Sequence, residues 1–207
     1  MKQHLLRRAG LGIALAALTA VQAQAANATV TPTVCTAPAL SQPFLAWGDS
    51  NWYVLAGGQS ADNFDGGGWV LSGGAKIVAA KLADGQTGSV LDLPAGSSAQ
   101  SPTLCVTSDY SSARAMVSNR TGSDHGYVAV SVSYAGTGSA RNPQTTGKLA
   151  TTGGDGANGA WQPSDAVALD PASTPGWQLL RITLTPGGSR FGKFDLYDLY
   201  LDPNARD

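Results

Sequence analysis

The chain contains no glutamate: all 14 of its acidic residues are aspartate, and it has only two histidines. Exposed helices draw heavily on Glu and Lys. Here both are scarce while Gly, Ser, Thr and Val abound, which is the composition of an all-β protein. The same absences narrow the chemistry. Histidine is the commonest general base, and a Glu/Asp pair is the usual hydrolytic device. Only His125 and the aspartates are left for either role once the leader described next is removed. There is no basic cluster, so neither nucleic acid nor an anionic membrane is an expected partner.

A long hydrophobic run is also missing. Lys2, Arg7 and Arg8 precede a short apolar stretch over residues 11–21, and Ala23-Gln24-Ala25 supplies a small-x-small cleavage site. The apolar stretch falls short of the ~20 residues that a membrane span needs. Residues 1–25 therefore read as a signal peptide. The expected product is exported, secreted or associated with the cell envelope, and not inserted in the membrane. Cleavage would remove three of the 13 basic residues, leaving 182 residues with a net charge of 10 − 14 = −4. That length suits one domain with a single core. We expect an extended segment at 26–53, a β domain at 54–203 and a short tail at 204–207.

The two cysteines, Cys35 and Cys105, lie in an exported chain and lack metal-site or redox spacing. A disulfide is the default for such a pair. It would close a loop of about 70 residues, worth on the order of 4 kcal/mol by the chain-entropy model.

Short alternating strands punctuated by Gly, Ser and Pro turns fill the rest. Residues 44–56 (FLAWGDSNWYVLA) form an aromatic patch and an expected early strand, and Trp69 opens the next after a glycine-rich turn at 57–68. Further strands are expected at 89–93, 103–107, 113–118, 161–169, 177–185 and 191–201. The clearest period-2 pattern is GYVAVSVSY at 126–134, with Val128, Val130 and Val132 on one face. Residues 136–160 show no periodicity and read as a long loop. Turn signals every 8–12 residues mark a β-sandwich. DNFDGGGWVLSGGA at 62–75 and FGKFDLYDLYLDP at 191–203 bracket the domain, and suggest a jelly roll closed by strands from both ends of the chain.

The order of these pieces resembles the galactose-binding-like jelly rolls that include many carbohydrate-binding modules. The residues that carry the resemblance are Asn63-Phe64-Asp65 before Trp69, then 88–93 (GSVLDL), 114–118 and 127–134, Gly176-Trp177-Gln178, and Asp198-Leu-Tyr-Leu. The chain also resembles secreted actinobacterial proteins with the same cysteine pair and Trp47-Gly48-Asp49. The first resemblance implies a calcium ion tying the first strand to the last through Asp65 and Asp198, with Asp195 and Asp202 as weaker ligands. Calcium suits such a site because it takes six to eight oxygens in flexible geometry. Asp65 stands where the family usually has Glu.

A glycan site would need exposed aromatic rings with a few polar partners. Trp161, Trp52, Tyr53 and Trp47 are the candidates, Trp161 foremost because it follows the long loop. Trp69 and Trp177 begin strands and are expected in the core. Tyr127 and Tyr134 lie about 23 Å apart along the strand, too far to grip one sugar. His125 lies beside Asp124, but no G-x-S-x-G nucleophile elbow is present. The expectation is a secreted, non-catalytic, lectin-like protein whose partner is a polysaccharide. The alternative is a structural or adhesive envelope protein acting through protein contacts.

Overall fold

Strands whose side chains alternate between two environments need two covers, and the chain supplies them by folding into two stacked antiparallel sheets. The computed structural model describes residues 35–122, 125–135, 144–149, 159–188 and 192–204. Residues 1–34, which include the expected signal peptide, the tail beyond 204 and most of the expected 136–160 loop lie outside the described residues. In chain order the strands are β1 Val54–Leu55, β2 Val70–Ser72, β3 Lys76–Lys81, β4 Thr87–Pro94, β5 Ser98–Gln100, β6 Leu104–Val106 and β7 Ser112–Asn119. They continue with β8 Tyr127–Ala135, β9 Gln144–Leu149, β10 Trp161–Pro163, β11 Val167–Ala168, β12 Gln178–Gly187 and β13 Lys193–Asp202.

One sheet runs β10-β7-β13-β4-β3, with β1 on β13 and β11 on β7; the other runs β2-β5-β12-β8-β9, with β6 on β12. This is the jelly-roll β-sandwich expected from the turn spacing. Val54 pairs with Leu201, so strands from both ends do close one sheet. The core between the sheets takes Val128, Val130 and Val132 from β8, Leu180, Ile182 and Leu184 from β12, and Leu91 and Leu93 from β4. Trp69 and Trp177 pack with it, as expected. Cys35 and Cys105 are bonded, with Cα atoms 5.8 Å apart.

Three expectations are corrected. The aromatic patch at 44–56 is not one strand: a 3-10 turn occupies Leu45–Trp47, and only Val54–Leu55 is strand. Within the expected loop, β9 pairs with β8, placing Gly147 opposite Val130. Residues 161–169 form two short strands, because the Ser164 hydroxyl takes the Ala115 amide, its carbonyl turns to Arg114, and the register shifts by one before Val167.

Strand β13 is the centre of the first sheet, and it is buried on both faces. It carries the repeat Asp195-Leu196-Tyr197, Asp198-Leu199-Tyr200. A period of three cannot keep both tyrosines on one face of a period-2 strand. A bulge between Tyr197 and Tyr200 resolves the conflict, with Asp198 at φ 53°. Phe194, Leu196, Leu199 and Leu201 then face the core, while Tyr197 and Tyr200 both join a second apolar cluster on the outer face. An extra residue that re-aims its neighbours is what a bulge does.

Two covers close this outer face. At one end Phe44 and Tyr53 pack on Tyr200, with Phe44–Tyr200 centroids 5.6 Å apart. Arg114 locks this lobe from the sheet side: its guanidinium lies 4.9 Å from the Phe44 ring centre, pairs with Asp49, and donates to the Ser164 carbonyl at 2.8 Å. Burial pushes the Asp49 carboxyl up, but hydrogen bonds from Tyr53 and the Asn51 amide, with Arg114, outweigh it and hold the group below its ordinary value. At the other end Trp161 lies edge-on to Tyr197, centroids 4.8 Å apart.

Replacing both Cys35 and Cys105 by alanine should lower the unfolding free energy by about 4 kcal/mol. Denaturant melts of both proteins check this, with reductant reproducing the loss in the wild type and having no effect on the variant.

Candidate functional site

Register places one row of side chains across the outer face of the first sheet. Lys76 pairs with Asp92, Asp92 with Asp195, Asp195 with Ser118, and Ser118 with Trp161. At a strand spacing of about 4.8 Å, these five positions span about 19 Å. Neither cover fills the middle of this row, and a cleft of about 440 Å³ opens there, lined by Lys81, Ser118, Arg120, Gly159, Trp161 and Asp195 among others.

Alternation puts the carboxylates in the row. In β4, Leu91 and Leu93 face the core, so Asp92 between them faces outward. The same holds for Asp195 between Phe194 and Leu196. Both are nonetheless buried, Asp92 at 4% exposure and Asp195 at 3%, because the strands on either side rise around them. Asp195 Oδ2 accepts from Arg120 Nη1 at 2.7 Å, while its Oδ1 has no hydrogen-bond partner. Asp92 lies 3.8 Å from both Lys76 and Lys193, and its Oδ1 is also without a hydrogen bond. Burial pushes the Asp195 carboxyl up, Arg120 opposes that, and Asp92 adds to it.

The wall of the cleft is Trp161. Its Nε1 donates to the Lys81 carbonyl at 2.6 Å, so the indole reaches from β10 at one edge of the sheet to β3 at the other. The rim is turned by Gly159 at φ 84°, a conformation that favours glycine, and its carbonyl accepts from Ser118 Oγ at 2.8 Å. The arrangement presents an indole, a guanidinium and a serine hydroxyl around one cavity, above a carboxyl whose second oxygen is buried. Such a set recognises a ligand with hydroxyls and apolar C–H faces.

The sequence-derived aromatic candidates separate. Trp161 lines the cleft. Trp47 is 49% exposed on the 3-10 turn of the N-terminal lobe, and Trp52 is half-buried in the same lobe. Tyr53 is 1% exposed, with its hydroxyl donating to Asp49 at 2.7 Å, so packing against Phe44 denies it a stacking role. Tyr134 donates to the Leu169 carbonyl, and Tyr127 lies beneath the Lys148 ammonium. Asp92, Ser118 and Arg120 were not among the candidates. The signal for Asp92 was present: a carboxylate alternating with leucines in a strand with no solvent-facing pattern.

The two carboxylates expected to hold calcium have different partners. Asp65 accepts from Ser60 Oγ at 2.9 Å and from Asn63 Nδ2. Asp198 accepts from the Asp62 amide at 3.0 Å, an approach made possible where Gly88 lets the Asp62 carbonyl come close to β4. Burial first, then the nearby Asp62 charge, push Asp198 up to about 7. Among the described residues no three acids, histidines or cysteines surround one point. The acid beside Asp198 is Asp62, while Asp65 is held by Ser60 and Asn63.

No family model matches the chain, and no curated protein does. Similarity to solved structures is found only at low identity and low TM-score. The C-terminal family 22 carbohydrate binding module of Clostridium thermocellum Xyn10B is 13% identical with a TM-score of 0.43, over 66% of this chain and 86% of that one. The CBM22-1 xylan-binding domain from Paenibacillus barcinonensis Xyn10C is 14% identical with a TM-score of 0.41, over 65% and 85%. A family two carbohydrate esterase from Cellvibrio japonicus is 14% identical with a TM-score of 0.33, over 65% of this chain and 32% of that one.

A carboxyl with a raised folded-state pKa favours the fold while protonated. The Asp198 contribution is therefore fully present below its ordinary pKa near 3.8 and is lost as pH rises through about 7. In chelator, the wild type should lose stability relative to Asp198→Asn between these limits, by on the order of 4 kcal/mol at most. Thermal melts across pH measure this. If calcium is held by Asp65 and Asp198, adding it at pH 8 restores the loss, and Asp65→Asn abolishes the restoration.

Proposed function

We propose that the outer-face cleft binds a saccharide chain and that the protein is an exported, non-catalytic glycan-binding module. The observation that supports this most is the row Lys76–Asp92–Asp195–Ser118–Trp161, with a cavity open at Trp161, Ser118 and Asp195. Three members of the row, Asp195, Ser118 and Trp161, line the cavity, whose volume of about 440 Å³ suits a short stretch of a saccharide. Its polar groups are held by the sheet and need little reordering on binding, which keeps the entropic cost low.

The pairing of Asp92 with Asp195 invites a hydrolytic reading. Glycoside hydrolysis needs two carboxyl groups flanking the scissile bond, one acid and one base or nucleophile. Here only Asp195 lines the cavity, and Asp92 lies between Lys76 and Lys193. Asp195 is held by Arg120 on one oxygen and buried at the other, so neither carboxyl is placed as a free acid or base, which favours binding over cleavage. Export through the 1–25 leader would deliver such a module to envelope or environmental polysaccharides.

Glycan arrays and insoluble-polysaccharide pull-downs test the reading. Trp161→Ala and Ser118→Ala should each weaken binding, the first by at least tenfold, equivalent to about 1.4 kcal/mol. Trp47→Ala, in the other lobe, should leave affinity unchanged. Retained binding in Trp161→Ala with loss in Trp47→Ala would move the site to the N-terminal lobe. No binding to any glycan would favour the structural envelope role.

A further inference from the structure

The two ends of the cleft are unlike. Side chains two residues apart share a strand face. Along β7 and the residue that follows it, Met116, Ser118 and Arg120 face outward in turn, and along β13 Tyr197, Asp195 and Lys193 lie beside them. At the Met116–Tyr197 end the face is sealed. Met116 is 5% exposed and Tyr197 3%, and Leu82 and Val90 pack round them with Val78 and Ala80. Trp161 lies edge-on to Tyr197, and its Nε1 bond to the Lys81 carbonyl joins β10 to β3 across this end. Beyond the seal Tyr200 is covered by Phe44 and Tyr53, so among the described residues no groove continues there. The other end is open: the side chains of Arg120 and Lys193 are 45% and 40% exposed.

A ring inside a polysaccharide has neighbours on two sides and needs two exits, whereas this cleft has one. The chemistry of the closed end points the same way. Lys81 meets the cleft through its backbone carbonyl, while its Nζ donates to the Gly85 carbonyl at 3.2 Å. That carbonyl already accepts from the indole and keeps a second lone pair. A chain terminus carries a free hydroxyl that can donate to it. An interior ring offers a glycosidic oxygen there, which is only an acceptor and would leave the carbonyl desolvated and unmatched. We infer that the cleft binds the end of a saccharide chain and not its interior. The terminal ring packs on Trp161 below the Lys81 carbonyl, and the chain leaves past Ser118 between Arg120 and Lys193. This inference rests on the glycan-binding reading and specifies the part of the ligand that the site takes.

The test is calorimetric titration of the full exported chain with xylo-, cello- and manno-trisaccharides and with soluble xylan, hydroxyethyl cellulose and mannan. For a linkage that binds, the polysaccharide is titrated before and after partial cleavage by an endo-acting hydrolase. Binding capacity per unit mass should rise in proportion to the number of chain ends. The matching trisaccharide is then capped with a bulky group at the reducing or at the non-reducing terminus. One capped form should bind like the uncapped sugar and the other at least about tenfold more weakly, which identifies the terminus that enters. A nitroxide on the tolerated terminus should broaden the nuclear magnetic resonance signals of Arg120 and Lys193 before those of Met116. Capacity independent of chain length, or equal affinity of both capped forms, would overturn the inference and leave the glycan reading standing. Broadening led by Met116 would also overturn it. No binding of any probe would overturn both.

Discussion

The outer face of β13 imposes the constraint on which the rest of the structure depends. A central strand whose inner residues build the core also presents Asp195, Tyr197 and Tyr200 to the opposite side, and those tyrosines need a cover. The bulge at Asp198 aligns the two tyrosines at the cost of a left-handed residue. The N-terminal lobe covers Tyr200 with Phe44 and Tyr53, and Trp161 covers Tyr197. Burial shows in both phenols: the Tyr197 hydroxyl is pushed up to about 12, and that of Tyr200 is pushed up further. Among the described residues no third cover reaches Asp195, and the gap left there is the cleft.

This accounts for why the site is polar at its floor and aromatic at its wall. Strand alternation places a carboxylate wherever an aspartate sits between two core residues, and β4 and β13 each do so at paired positions. Two acids side by side in a desolvated trough would repel, and Lys76, Lys193 and Arg120 offset that repulsion from the rim. The cations are therefore part of the architecture. They are exposed enough to meet a ligand, the Arg120 side chain at 45% and that of Lys193 at 40%.

Much of the fold was legible because its signals are local. Valine alternation in β8, the Gly/Pro punctuation and the acid-rich final strand each specify an element or a boundary without distant information. That both ends of the chain meet in one sheet was legible in outline, but the partner of β13 is Val54–Leu55, while the strand in the 62–75 segment joins β5 in the other sheet. The site was legible only in part. Trp161 stood out because a glycine-rich stretch precedes it, yet Tyr53 stood out equally and is buried. What separates them is the lobe at 44–53 folding onto β13, a long-range contact that composition does not encode. Asp92 and Asp195 gain meaning only when β4 and β13 pair in register, some hundred residues apart. Arg120, in a short loop after β7, shows no pattern of its own until Asp195 lies 2.7 Å away.

The most direct measurement is a nuclear magnetic resonance titration of the labelled exported chain with an oligosaccharide that it retains in pull-downs. The account predicts that perturbed signals cluster at Lys81, Ser118, Arg120, Gly159, Asp195 and the Trp161 indole, along one row of the first sheet. Perturbations confined to Trp47 and Trp52, or spread over the second sheet, would contradict it.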